Sequence, residues 1–167
     1  MPVRNASIGW RQLMNHYKEQ MLACDFFTVA VETIRLKTLY VFFFIELGTR
    51  RIHLAGITIN PDSGWTAQQA RQLVRQLEEN ESDFRFLLRD RDSNVLDPIF
   101  ESEEIHVTPT PIRAPNANAF TERWVRTVRR DSLNHFLIVN QYQLKRIVTA
   151  YTEYYNQHRA HQGIQQR

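Results

Sequence analysis

Apolar positions recur along this chain at helical and strand spacings in turn, and the switches between them lay out the elements. Trp10, Leu13, Met14 and Tyr17 fall at helical spacing within Trp10–Gln20. Three β-rich segments follow. Met21–Val31 is aromatic and β-branched, and Leu39–Leu47 is an almost unbroken apolar run, as expected of a strand covered on both faces. Arg51–Ile59 alternates in part. The Leu47-Gly48-Thr49-Arg50 junction predicts a tight turn that joins the second and third segments into a hairpin. Asn60-Pro61-Asp62-Ser63-Gly64 then breaks the pattern. Thr66–Asn80 predicts an amphipathic helix with Ala70, Leu73, Val74 and Leu77 on one face. Phe84–Leu88 reads as a short buried strand ending at Arg89-Asp90, Val95–Glu103 as a brief helix and Ile105–Val107 as a fifth strand. A Pro-rich loop covers Thr108 to Pro115. Asn116 or Asn118 can cap a helix running to about Asp131, and a last long helix covers Gln141–His158. Three adjacent strands followed by βα units predict an α/β fold: a five-stranded mixed sheet flanked by helices. Residues 1–20 are expected to form a helical lead-in, and 21–167 a single core domain.

Composition changes this picture little. The 167 residues are 43% hydrophobic and 23% charged, an ordinary globular mixture that excludes disordered, collagenous and low-complexity classes. The single cysteine, Cys24, excludes a disulfide framework and a Cys-rich zinc module, and suits a reducing interior. The longest apolar run, Leu39–Ile45, falls far short of the roughly 20 residues that span a bilayer. No apolar signal core stands before Trp10, so a cytoplasmic protein without a membrane partner is expected. Charge is more telling. The net value is only +3, but from Pro111 onward nine Lys or Arg face three acids, whereas residues 1–110 hold twelve basic and fifteen acidic side chains. A basic C-terminal third on a mildly acidic body is what a polyanion-binding face would require.

Three acids stand in surroundings that call for a reason. Asp25 interrupts the first strand between Cys24 and Phe26, where a carboxylate is costly unless it meets a cation or a donor. Asp90 ends the fourth strand, and open sheets of this kind collect ligands at the carboxyl ends of their strands. Glu122 lies one turn into the helix after Asn118. Two of them have an ordinary alternative: a solvated strand end for Asp90, and a first-turn acid complementing the helix dipole for Glu122. Brought together, the three would repel one another and ask for a divalent metal with oxygen ligands. Glu122, Arg126 and Arg129 share one helical stripe, with Arg123 and Arg130 alongside and Phe120, Trp124 and Val128 opposite. Arginines beside a metal-binding carboxylate would hold phosphates. Cys24 is expected to be a small buried hydrophobe whose thiol pKa its acidic neighbour raises.

Asn118-Ala119-Phe120-Thr121-Glu122, followed seven positions later by Arg129, resembles the Asn-Ala-x-x-Glu signature of DDE transposases and retroviral-type integrases. Asp90-Arg91-Asp92-Ser93 resembles the family's second-aspartate segment, and Asp25-Phe26-Phe27-Thr28 the first. Tyr155-Asn156-Gln157-His158-Arg159-Ala160-His161 is similar to the tail of insertion-sequence transposases. The resemblance implies a ribonuclease-H-like fold and a polynucleotidyl transferase in which Asp25, Asp90 and Glu122 bind two Mg²⁺ or Mn²⁺ ions, cut DNA and join the freed 3′-OH to target DNA. It further implies DNA contacts from Arg123, Arg126, Arg129, Arg130, Arg159 and His161. The partners would be double-stranded DNA, as element ends and target, and further copies of the chain, in a prokaryotic-type mobile element working at the nucleoid.

The chain departs from the family pattern in places. Arg91-Asp92 replaces the usual Asn-Gly, and on a continuing strand Asp92 would share a face with Asp90 and could be the ligand instead. Ala160 stands where proline is usual. Only about twenty residues precede the first strand and hold no helix-turn-helix, so the chain is expected to be a fragment, a partner subunit or a degenerate copy. A catalytically silent DNA-binding remnant and a same-fold nuclease are the alternative functions.

Overall fold

The computed structural model describes residues 14–31, 34–90, 94–109 and 115–165, together with Gly9 and Gln12, and the side chains of 119–159 in the last of these spans. Five strands, β1 (Met21–Val31), β2 (Lys37–Glu46), β3 (Ile52–Thr58), β4 (Phe86–Arg89) and β5 (His106–Pro109), form one sheet in the order β3-β2-β1-β4-β5. The β1–β2 and β2–β3 pairs are antiparallel, whereas β1–β4 and β4–β5 are parallel. The helices are α1 (Ser63–Glu79), α2 (Asp97–Glu101), α3 (Pro115–Asp131) and α4 (Gln141–Gln165).

Strand alternation divides the core into two layers. On β1 and β2, Ala23, Phe27, Val41, Phe43 and Ile45 point to the side where Trp124 and Val128 of α3 and Leu144 and Val148 of α4 are buried. Leu22, Cys24, Phe42 and Phe44 point to the opposite side, against Ala70, Leu73, Val74 and Leu77 of α1 and Phe100 of α2. Val41 through Ile45 are all 0–1% exposed, which is why that stretch reads as a continuous apolar run. The mixed sheet with helices on both faces has the predicted ribonuclease-H-like layout.

β1 has the bounds that its sequence predicts, and elsewhere the ends move for local reasons. The α1 helix starts at Ser63, ahead of the expected Thr66, because the Asp62 carboxylate accepts the Trp65 amide at 2.7 Å and caps the first turn. Trp65 in turn lies against β3, where a Cβ on Gly56 would come within 2.7 Å of its ring, so only glycine lets helix and strand approach there. The α3 helix includes Pro115, a residue whose fixed φ suits a first turn. β5 reaches into the expected Pro-rich loop as far as Pro109, and α4 continues to Gln165. Of the expected first helix, Met14 and Tyr17 are described and pack on the α3–α4 side of the sheet, whereas Trp10 and Leu13 lie outside the described residues.

The outer edge of β3 is tied to α4. The Asn156 side chain accepts the Ile52 amide at 2.9 Å and donates to the Ile52 carbonyl at 3.0 Å, and Gln141 donates to the Ile57 carbonyl at 2.7 Å. Among the described residues, no helix is long and apolar enough to cross a membrane.

Candidate active site

Asp25 occupies the middle of β1 on the same sheet face as Ala23 and Phe27, and so looks toward α3. The parallel register that pairs Leu22 with Leu87 and Ala23 with Leu88, carried two residues further, sets Asp90 level with Asp25. Glu122 arrives from the helix. Trp124, 1% exposed, packs its indole 4.6 Å from the Phe43 ring and 5.7 Å from the Phe27 ring, centroid to centroid, and so docks α3 over β1 and β2. The buried Thr121 then donates its hydroxyl to the Asp25 carboxylate, and Glu122 follows directly after it.

The electrostatics record this convergence. The Asp25 carboxyl is held above the usual aspartate range, chiefly by burial, with the negative charges of Asp90 and Glu122 pushing the same way. The Phe26 amide, donating at 2.8 Å, and the Thr121 hydroxyl work against the shift without cancelling it. The Cys24 thiol next to it is pushed far up by burial first and by Asp25 second, so it is an inert small hydrophobe, as its sequence context suggests. Among the described residues, no three acidic, histidine or cysteine side chains stand close enough to cage a metal. The charges of Asp90 and Glu122 both reach Asp25, but the three acids do not form a preassembled cage.

Arg89 is a residue that the sequence reading missed. It is 7% exposed at the end of β4, donates to both carboxylate oxygens of Asp97 at 2.6 and 2.9 Å, and donates to the Asp90 carbonyl at 2.7 Å. This fork ties the strand end to α2 and fixes the backbone that presents Asp90. The signal was visible as a cation placed directly between a buried strand and its terminal acid. The β4 strand ends at Arg89, and residues 91–93, among them the alternative ligand Asp92, lie outside the described residues.

The basic residues separate into groups. Arg123 and Arg126 are exposed on α3. Arg129 donates to the Thr28 carbonyl at 2.7 Å and lies 5.5 Å from the Phe27 ring centroid, so it also fastens α3 to β1. Arg130 is paired with Asp131 at 2.8 Å. Arg159 is half-buried over the Tyr155 ring, 5.4 Å from its centroid, and the His161 side chain lies outside the described residues.

Residues 103–167 match the integrase core domain family. No curated protein sequence matches the chain. Solved structures share its fold at low identity. The Mos1 transposase catalytic domain, determined with Raltegravir and Mg, superposes with a TM-score of 0.62 at 13% identity, over 86% of this chain and 78% of that one. The Mos1 transposase paired-end complex with its left transposon end gives 0.57 at 12% identity, over 88% and 53%. A chain of the simian T-cell lymphotropic virus intasome, in complex with the PP2A regulatory subunit B56 gamma, gives 0.50 at 12%, over 67% and 39%. The present chain thus spans well under two thirds of the intasome chain and about half of the Mos1 chain in its complex with a transposon end.

Proposed function

We propose that this ribonuclease-H-like chain is the catalytic core of a DNA transposase or integrase, a polynucleotidyl transferase with Asp25, Asp90 and Glu122 as its metal-binding acids. The observation that carries the reading is geometric: the parallel β1–β4 register brings the end of β4 beside Asp25, and Trp124 docks the Glu122 helix over β1 and β2; the raised Asp25 carboxyl agrees with it. The match of residues 103–167 to integrase cores supports it, and so does the fold shared with a Mos1 domain determined with Mg.

The donor set fits a hard divalent ion, since it consists of carboxylate oxygens whose mutual repulsion a dication relieves. Asp25, Asp90 and Glu122 would hold two Mg²⁺ or Mn²⁺ ions. When bound, such ions would supply activation of the attacking oxygen and charge stabilisation at the leaving 3′ oxygen. Thr121 and the Phe26 amide orient the Asp25 carboxylate, and Arg89 orients the backbone at Asp90. Arg123 and Arg126, exposed on the Glu122 helix, would draw the DNA backbone to the acids and offset charge that builds on phosphorus during displacement. Hydrolysis breaks one phosphodiester and frees a 3′-OH. That hydroxyl then replaces another 3′ oxygen in target DNA, so that one bond forms as one breaks and no covalent enzyme intermediate arises. Copies of the chain would act together on paired ends.

The test incubates the purified chain with Mn²⁺ and a labelled nicked or branched duplex, beside Asp25→Asn and Glu122→Gln. Cut and joined products that vanish in both variants are expected. Cut products alone would make it a nuclease. Salt-sensitive DNA binding without products would make it a silent DNA-binding remnant.

A further inference from the structure

The arginines that the acid site leaves unused gather where the β2–β3 hairpin, α3 and α4 meet. Arg50 closes the hairpin turn with φ 66, a left-handed conformation costly for a residue with a Cβ. Its guanidinium lies 4.4 Å from the centroid of the Phe120 ring on α3, with the Lys18 ammonium 6.0 Å from the same centroid. Arg123 stands one turn beyond Phe120 on that helix, beside Glu122. The α4 helix supplies the third member. Asn156 clamps it to the Ile52 peptide, two residues from Arg50, and Tyr155 carries the Arg159 guanidinium on its ring.

These cations lie close enough to oppose one another. Burial lowers the Arg50 pKa, and the charge of Arg123 adds to the effect. Burial likewise lowers that of Arg159, with Arg50 contributing. Glu46, whose charge reaches Arg159, is already engaged: it accepts the Thr49 hydroxyl at 2.9 Å and meets the His53 ring at 2.6 Å. The Arg159 Nε is buried and finds no hydrogen-bond partner among the described residues. Two guanidinium planes held on aromatic faces, one with an unused buried donor, suit an oxyanion that can accept from both forks.

We infer that Arg50, Arg123 and Arg159 form a cradle for a DNA backbone phosphate, next along α3 to the Glu122 carboxylate. The inference rests on the nucleic-acid reading above, adds Arg50 to the contacts expected of Arg123 and Arg159, and joins the three in one site. It gives the tail segment Tyr155-Asn156-Gln157-His158-Arg159 a physical task, with Asn156 fixing the helix, Tyr155 supporting the guanidinium and Arg159 meeting the phosphate.

The test is fluorescence anisotropy of a short labelled duplex across a sodium chloride series. In Arg50→Ser/Arg159→Gln the salt slope should flatten by about two, one for each lost phosphate contact, with affinity weakened alike on unrelated sequences. Mn²⁺ binding by the acid cluster should raise the melting temperature by linkage, and that rise should persist in the double variant. That division keeps the two readings separable: loss of the Mn²⁺ response in the wild-type chain would count against the acid site alone. An unchanged salt slope overturns the cradle. So does a melting response to inorganic phosphate, lost in the double variant, with DNA binding intact; the anion would then be a free phosphate. If the double variant fails to fold by circular dichroism, Arg50→Lys/Arg159→Lys decides. The slope should hold while affinity falls severalfold, and unchanged affinity overturns the inference.

Discussion

The Asp25 carboxylate rests on a sheet face otherwise given to Ala23 and Phe27, and folding brings two more negative charges toward it. A group whose folded pKa lies above its unfolded value keeps its proton longer in the folded state. Stability therefore falls as pH rises from the ordinary aspartate range through the raised value. Asp25→Asn removes the charge while keeping an acceptor for the Phe26 amide. In metal-free buffer at neutral pH it should raise the melting temperature by roughly 2–4 °C for each kcal/mol relieved, and the advantage should vanish below about pH 4. An equal or lower melting temperature at neutral pH would mean that the neighbouring charges do not burden this position. The same variant should lose the Mn²⁺ response. Such single residues were unevenly legible in the sequence. Asp25 stood out because a strand interior rejects a charge, and Glu122 because its spacing matched a motif. Arg89 offered only its place between a buried strand and Asp90, and Arg50 offered nothing, since the partners that explain them, Asp97 and Phe120, come from other elements.

Elements were the most legible level, for a physical reason. The Val41–Ile45 stretch of β2 is fully buried and α1 has a clean apolar stripe, so the apolar pattern alone located them. Ends escaped wherever a side chain set them, as with the Asp62 cap and the entry of α3 at Pro115. The attachment of α4 to β3 escaped as well, because it depends on a residue 104 positions away. Asn156→Ala should show what that attachment contributes. It deletes two hydrogen bonds to a peptide whose residue is only 2% exposed, at a cost of about 2 kcal/mol. Thermal denaturation should register the loss, with faster amide exchange at Ile52 than in the wild-type chain. Unchanged exchange there would show that the sheet edge holds without α4.

At the scale of the molecule, β2 belongs to both layers at once: Phe43 fills the side facing α3 and α4, while Phe42 and Phe44 fill the side facing α1 and α2. Neither layer can loosen without exposing the strand that supports the other. Unfolding in urea should be a single transition, with tryptophan fluorescence and far-ultraviolet circular dichroism coincident. Phe43→Ala, which opens a void beside Trp124, should cost about 3–5 kcal/mol without separating the two signals. Transitions that part company would reveal two independent layers. The layered class was readable from strand and helix order, whereas the meeting of β1, β4 and α3 at one point had to come from the parallel register and the docking of Trp124. The border of the sheet has a last consequence. A strand left with open amides and carbonyls is a template on which another chain can polymerise. With Asn156 seated on Ile52 and Gln141 on Ile57, both ends of β3 are already occupied by side-chain amides that mimic a neighbouring strand yet cannot propagate one. The fold thereby carries its own chain terminators against fibrous aggregation.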